Sequence, residues 1–399
     1  MPACPPIPSS LRQRTAPGPF PRLSRVNCRM ALLAALGTQS WCAAQEVVAP
    51  PPELRDTVTM QNPDFAPTGA LRRRNLMAAG GATVLAHSLP AIAQSKIVLR
   101  ISSPAVPDDW HAKMWTVFKE HLDKSAPGEF DVQINLNASL FKQGAEPAAM
   151  ARGNLELTTV SAADIAKIVP EFSIFTAGYV VRDPAQQQKI FNGPIGAELF
   201  KTMSEKMDIS ALSTCYLGTR QLNLREVRNV RTPADLKGIK LRMPGSKDWL
   251  FLGEALGATA TPLAFGEVYL GLKSGTIDAQ DNPLPTVKAA KFYEVTKQIV
   301  LTSHLVDGLF IAISNKAIQA ISQTQRSKLQ AAAQAAAAFN NENRLKEESQ
   351  LVEFFKKEGL QVSTPDLDAF HKTVQAAYQN ADYAKTWPAG LLERINAVR

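Results

Sequence analysis

Hydrophobic and polar positions along this chain switch between two periods. The run KIVLRIS, Lys96–Ser102, predicts a first strand. The next segment, DWHAKMWTVFKEHLDK, sets Trp110, Met114, Val117, Phe118 and Leu122 on one face at helical spacing. FDVQINL then alternates Phe130, Val132, Ile134 and Leu136 with polar neighbours, the pattern of a half-buried strand. EPAAMARGN, Glu146–Asn154, predicts a short helix, and LELTTVS a further strand. This β-α-β-α-β order predicts a layered α/β domain.

The pattern restarts near Ile209. ISALSTCYL predicts a strand ending at Leu217, and PADLKG a helical turn closed by Gly238. IKLRM alternates again, with Ile239, Leu241 and Met243 on one face and Lys240 and Arg242 on the other. DWLFLGEALG is a helix ended by Gly257. TPLAFGEVYLGLKSGTIDAQDNP then places Phe265 just before an amphipathic helix and Asn282 just after a short apolar strand. A second α/β unit therefore spans about residues 218–306. From Asn315 to about Lys357 the sequence is strongly helical and free of proline, with LQAAAQAAAAF at its centre. That is long for a globular helix, so one break is expected. More helix follows, to YAKTWPAGLLERINAV.

Charge and proline separate the first 93 residues from the rest. They hold 13 of the 27 prolines, with nine basic and four acidic side chains; the remainder has 35 basic and 32 acidic residues. The surplus of +8 is therefore mostly a property of the leader. A near-neutral body does not suit nucleic-acid binding. Residues 1–93 read as unstructured or removed. LRRRNLMAAGGATVLAHSLPAIAQS, Leu71–Ser95, has a basic start, a mildly apolar stretch and AIA before Gln94. That is a secretory signal, and Arg73-Arg74 followed by Asn75-Leu76-Met77 makes it twin-arginine in type. Met60 is a natural start for such a signal. The mature chain is expected to begin near Gln94, outside the cytoplasm, in the periplasm. Three of the four cysteines precede it, which leaves Cys215 alone, as a small hydrophobe without a disulfide.

Motifs for catalysis are absent. His111, His121, His304 and His371 have no ligand spacing, and there is no CxxC, GxSxG elbow or phosphate loop. No metal and no cofactor is expected. Asp281 beside Asn282 would suit one half of an acid/base pair, but the sequence places no second carboxylate; an enzyme on this scaffold would use Asp281 or Glu267. Arginines and an amide offer binding chemistry instead. Arg242 ends a predicted strand just before Pro244-Gly245, where open α/β sheets bind ligands. Arg220 follows the strand ending at Leu217 and the flexible Gly218. A guanidinium fork binds a carboxylate through two parallel hydrogen bonds. Asn282 offers a donor and an acceptor, and Phe265 an apolar wall. The alternative for each arginine is a solvated or acid-paired side chain, and for Phe265 the core.

The combination DLKGIKLRMP, LGATATPLAFGEVYLGLKSGTIDAQDNP and AAKFYEV resembles the solute-binding subunit of TRAP transporters, the dicarboxylate-binding-protein-like family. YLGTRQLN resembles that family's second arginine segment, and VPEFSIF its segment before the first-lobe cleft. The resemblance runs from about Lys96 to Asn343. It implies an α/β, two-lobed periplasmic binding protein with a hinge and a long bracing helix. It implies lobe I at 96–217 plus about 308–347, and lobe II at 218–307 plus about 348–399. Arg242 would make the two-pronged salt bridge to a substrate carboxylate, and Arg220 a second contact. Phe265 and Asn282 would line the cleft. Ser161 stands where some sialic-acid-binding members carry glutamate, which disfavours sialic acid. Gly178-Tyr179 replaces the usual PF, and Tyr179 would add a hydroxyl or simply pack. Ser103, Trp110 and Gln143 are further first-lobe positions for the ligand.

The expected function is capture of a small organic carboxylate by lobe closure and delivery to TRAP membrane permease subunits. The acid would be a C4-dicarboxylate, a sugar acid or a hydroxy or keto acid. A monomer without nucleic-acid partners is expected. The rivals are a periplasmic sensor or scavenger, and an enzyme on the same scaffold.

Overall fold

The computed structural model describes residues 96–382 and 384–399. The expected leader, residues 1–93, and its signal lie outside the described residues. In chain order the elements are β1 (Ile97–Ser102), α1 (Trp110–Ser125), β2 (Phe130–Asn135), α2 (Glu146–Arg152), β3 (Leu157–Ser161), α3 (Ala162–Ala166), α4 (Pro184–Phe191), α5 (Pro194–Met207) and β4 (Ile209–Leu224). Then come β5 (Lys240–Met243), α6 (Lys247–Ala255), β6 (Thr259–Pro262), α7 (Val268–Ser274), β7 (Ala279–Pro283), α8 (Leu284–Ala289) and β8 (Gln298–Ser314). Helices α9 (Asn315–Gln319), α10 (Gln323–Glu348) and α11 (Leu351–Lys357), strand β9 (Gln361–Ser363), and helices α12 (Leu367–Asn380) and α13 (Leu391–Ala397) complete the chain.

The strands form one sheet in the order β2-β1-β3-β8-β4-β7-β5-β6, with β9 beside β8. β1 runs parallel to β2 and β3, and β5 parallel to β6 and β7, so each side keeps the crossover logic of an α/β lobe. Two long antiparallel strands join the sides. Ile209–Tyr216 of β4 pair with Gly308–Ser314 of β8, and Gly218–Leu224 with Gln298–Asp307. The fold is thus two-lobed, with β4 and β8 passing from one lobe to the other.

These strands correct the sequence reading. The strand expected to stop at Leu217 continues through Gly218 to Leu224, and residues 298–314 form a strand that periodicity did not announce. Gly218 marks a register shift within the strand and not its end. Its φ is +131°, and a Cβ there would lie 2.3 Å from the Pro283 side chain. In β8, Ser303 adopts a φ of 45° and breaks the alternation.

The expected long helix has two interruptions, not one. α9 stops at Gln319, and α10 ends at Glu348 before α11 starts at Leu351. A capping box starts α10: Ser322 accepts from the Gln325 amide, and Gln325 accepts from the Ser322 amide. Its 26 residues extend about 39 Å. Ala332, Ala333, Ala336 and Ala337 are buried on it, and their small side chains admit close packing on the sheet. Trp115, Phe118 and Leu122 of α1 belong to the same core cluster. Truncating Phe118 to alanine there costs about 3–5 kcal/mol. A second cluster holds Leu272, Val287, Phe292, Ile299 and Phe355. The largest joins Phe172, Phe310, Leu241, Trp249 and Phe370. α13 falls in the segment assigned above to the second lobe, yet it bonds to α4 and α5. Gln186 donates to the Ile395 carbonyl at 3.0 Å, and Arg394 pairs with Glu198 at 2.7 Å.

Candidate functional site

A cavity of about 420 Å³ opens between the ends of β1, β3 and β5, the starts of α1, α2 and α3, and the middle of β4, β7 and β8. Of the residues singled out from sequence, Arg242, Arg220, Asn282, Phe265, Ser161, Ser103 and Gln143 line it.

Arg242 holds the corner where β5 ends. The alternation that put it opposite Leu241 and Met243 is correct, but the polar face meets the cavity and not bulk water: Lys240 is exposed and Arg242 only 1% exposed. Its Nε donates to the Leu263 carbonyl at 2.8 Å and its Nη2 to Gln143 Oε1 at 3.1 Å. Both partners are neutral, and among the described residues no carboxylate lies within 4.0 Å of the guanidinium. Burial pushes its pKa down to about 9; Asp281 opposes this and nearby Arg220 adds to it. Gln143 Oε1 also accepts from the Phe265 amide at 3.0 Å, so one first-lobe amide holds two second-lobe donors.

Arg220 has a different environment. Its Nε donates to Asp281 Oδ2 at 2.6 Å, its Nη1 to Asp307 Oδ2 at 2.8 Å, and its Nη2 to Asp281 Oδ1 at 3.0 Å and to the Asp281 carbonyl at 2.8 Å. Trp249 covers it, with the guanidinium carbon 4.4 Å from the ring centre. Burial pushes the Asp281 carboxyl up, but Arg220 and His304 outweigh it and hold the group below the usual carboxylate range. Burial pushes the His304 pKa down, and Asp281 opposes this. Its Nε2 is 3.2 Å from Asp281 Oδ2 and its Nδ1 2.8 Å from Thr302 Oγ1, so an Nε2–H tautomer with Thr302 as donor satisfies both. Asp281 is thereby held by Arg220 and His304 as part of a buried ion-pair cluster.

The remaining expected residues divide. Asn282 is buried inside β7, not beyond it, and donates to Gln280 Oε1 at 2.6 Å. The Phe265 ring sits 5.7 Å from Phe292. Ser103 Oγ accepts from the Ala105 amide. Ser161 caps α3: its Oγ accepts from the Asp164 amide at 3.1 Å and donates to Asp164 Oδ2 at 2.8 Å. Two residues do not line the cavity. Trp110 donates its indole N–H to Glu347 at 2.6 Å and meets Phe339 edge-on. Tyr179 donates its hydroxyl to the Thr302 carbonyl at 2.9 Å and stacks edge-on against His371. Cys215 is buried and unpaired, its thiol pushed up to about 12 by burial.

Several wall residues escaped the sequence reading. Asp109, His111, Glu146, Asp164, Lys167, Trp249 and Thr286 line the cavity. Asp109 is bound by Arg344 of α10 at 2.5 Å, and the same guanidinium donates to His111 Nδ1 at 3.0 Å and to Thr286 Oγ1 at 2.6 Å. Burial and Arg344 push His111 down to about 4, so its ring is neutral and its buried Nε2 has no partner among the described residues. Glu146 accepts from the Gly144 amide at 2.8 Å, and burial, with Asp164 beside it, pushes its carboxyl up to about 7. Lys167 pairs with Asp164 at 2.8 Å. Only the D-x-H spacing of Asp109 and His111 at a helix start was visible in one dimension. The rest depends on elements far apart in sequence.

Residues 102–385 match the family described as bacterial extracellular solute-binding protein, family 7. The sialic acid-binding periplasmic protein of Vibrio cholerae is 33% identical over 261 residues, 65% of this chain and 81% of that protein. The C4-dicarboxylate-binding periplasmic protein of Rhodobacter capsulatus is 30% identical over 249 residues, 62% of this chain and 74% of that protein. A TRAP periplasmic solute-binding protein from Roseobacter denitrificans, solved with bound 3-deoxy-D-manno-oct-2-ulosonic acid, is 44% identical with a TM-score of 0.73, covering 76% of this chain and all of its own.

Proposed function

The chain belongs to the bacterial extracellular solute-binding proteins of family 7, TRAP-transporter binding proteins and not enzymes, and on that premise we propose that it captures a small organic acid through Arg242 and hands it to membrane permease subunits. The observation that carries this reading is the state of Arg242. A guanidinium 1% exposed, at the wall of a cavity of about 420 Å³, has amide and carbonyl neighbours and, among the described residues, no carboxylate within 4.0 Å. Burying an unpaired charge is costly, and a ligand carboxylate that accepts its two forward N–H groups relieves that cost. The volume lies within the range of small-molecule sites. Asn282, Ser161, Ser103 and Gln143 supply donors and acceptors for the rest of the ligand, and Phe265 and Trp249 supply apolar area.

Binding closes the lobes, 96–217 plus about 308–347 against 218–307 plus most of 348–399, with α13 held on the first lobe through Gln186 and Glu198. Closure removes water from the Arg242 corner and strengthens the ion pair. Arg220 acts behind the ligand, fixing the cavity floor through Asp281 and Asp307. The place of action is the periplasm, as for the named relatives, with export by the twin-arginine-type leader. The relatives' ligands, an ulosonic acid, a sialic acid and a C4-dicarboxylate, support a search among hydroxylated acids and small diacids.

A thermal-shift screen of uronates, aldonates, ulosonates, keto acids and C4-dicarboxylates tests the reading, because a ligand of the folded state raises Tm by mass action. A shift by one class, abolished by Arg242→Ala, is the expected result. Silence from every acid, or a shift that Arg242→Ala leaves intact, rejects it.

A further inference from the structure

The charges in the cavity wall limit what the ligand carries. Three cationic side chains line it, and two are already matched. Arg220 is bound by Asp281 and Asp307, and Lys167 by Asp164. A fourth cation, Arg344, behind the wall, is bound by Asp109. Arg242 alone has no carboxylate partner. On the acidic side, Glu146 and Glu267 line the cavity with no cation within ion-pair distance among the described residues. Glu146 is 4% exposed. The wall therefore has one vacancy for a negative charge and two acids that oppose another.

We propose that the site accepts a single carboxylate, and that Glu146 with the Asp164–Lys167 pair enforces this, so that the ligand is a monocarboxylic polyhydroxy acid and matched diacids are rejected. The inference rests on the reading of Arg242 as carboxylate anchor. Once Arg242 is satisfied, a second carboxylate anywhere in the closed cavity is buried without a counterion, which binding does not repay. A hydroxyl group meets the same wall favourably. It donates to Glu146 or Asp164 and accepts from the unpartnered His111 Nε2–H. Gly144 helps to place these groups: a Cβ there would come within 3.4 Å of Asp164 Oδ1 and 3.6 Å of Lys167 Nζ. Gly144, next to Gln143, thus sits against the α3 pair. Gln143 touches Arg242 and Glu146 lies three residues on, so anchor and filter share one short segment.

The test uses acids that differ only at the far end: erythronate against the corresponding tartrate, gluconate against glucarate, and galactonate against galactarate. The eight-carbon ulosonic acid serves as a long monoacid. Calorimetry on the wild-type protein is expected to show each binding monoacid preferred over its diacid by about a hundredfold or more, the scale of like-charge juxtaposition in a desolvated site. Read at pH 8, above the raised Glu146 pKa, Glu146→Gln keeps the shape and removes the charge; Asp164→Asn releases Lys167 as a second cation. Each is expected to narrow the gap at least tenfold, mainly by tightening the diacid. Diacids within tenfold of their monoacids in the wild type, with both lost on Arg242→Ala, overturn this inference and leave the anchor standing. So does a gap that neither substitution narrows in a variant whose melting transition is intact. Binding of none of the acids, or binding that survives Arg242→Ala, removes the anchor and the inference together.

Discussion

Arg220 and Arg242 lie in the wall of one cavity, and both are withdrawn from water, at 2% and 1% exposure. Carboxylates surround the first and amides the second. Arg220 makes four hydrogen bonds, three of them to carboxyl side chains, and a ring covers its face. Arg242 makes two, both to neutral oxygens. The difference separates two uses of one side chain. A balanced buried ion belongs to the framework, because removing either partner strands the other. An unbalanced one is destabilising until something charged arrives.

The largest expected effect breaks the comparison directly. Arg242→Ala should weaken binding of the ligand acid by about 2–5 kcal/mol, the range for truncating one partner of a buried charge pair, read by calorimetry. Arg220→Ala should instead cost about 3–5 kcal/mol of folding stability in urea without ligand, since Asp281 and Asp307 are left buried and unpaired. Next is a test of sign: Arg242→Met should stabilise the unliganded protein by about 1 kcal/mol or more, because an uncompensated charge is replaced by an apolar chain of similar length. A loss of stability there would place Arg242 with Arg220. Arg242→Lys keeps the charge but loses the fork, and should weaken binding by about 1–2 kcal/mol without altering the urea midpoint.

The smallest effect concerns pH. Glu146 has its folded pKa raised from 4.5 to about 7. The folded state therefore holds this proton more tightly than the unfolded chain. The associated stability is complete below about 4.5 and is lost as pH rises towards about 7. Asp281 has the opposite sign: its pKa is lowered, so its contribution is present at neutral pH and is lost in acid. Glu146→Gln should flatten the decline in Tm between pH 5 and 8 and leave the acid limb unchanged. An unaltered decline would assign it to another group.

The arginines also show what one dimension reveals. Arg242 was legible because a strand alternates, and its odd polar position before Pro244-Gly245 stands out. Asn282 and Phe265 were legible as the two ends of one helix-strand segment. Arg220 was found, but its acid partners were not, because Asp307 is 87 residues away and Asp281 is 61. Glu146 was read as an ordinary helix start, and Trp249 as one apolar residue of a helix; only tertiary contact brings them to the cavity. Trp110 and Tyr179 carry polar tips that look suited to a ligand, yet both tips are taken by the protein's own acceptors. The long strands were missed for a local reason. Glycine and a left-handed serine interrupt the period, and an interruption inside a strand looks, in sequence, like its end.

The place where β4 slips its register is also where α10 leans on it. Asn341 Oδ1 accepts from the Tyr216 amide at 2.7 Å, and Asn340 donates to the Tyr216 carbonyl at 2.9 Å. Arg344 donates to the Leu217 carbonyl at 2.7 Å, and Glu348 accepts from the Thr219 amide at 2.8 Å. Around this irregularity, side chains do what a neighbouring backbone does elsewhere in a sheet. Backbone partners cannot be exchanged by mutation, whereas these four can. Variation at positions 340, 341 and 348 would therefore alter the support of this irregular stretch without changing any residue that lines the cavity.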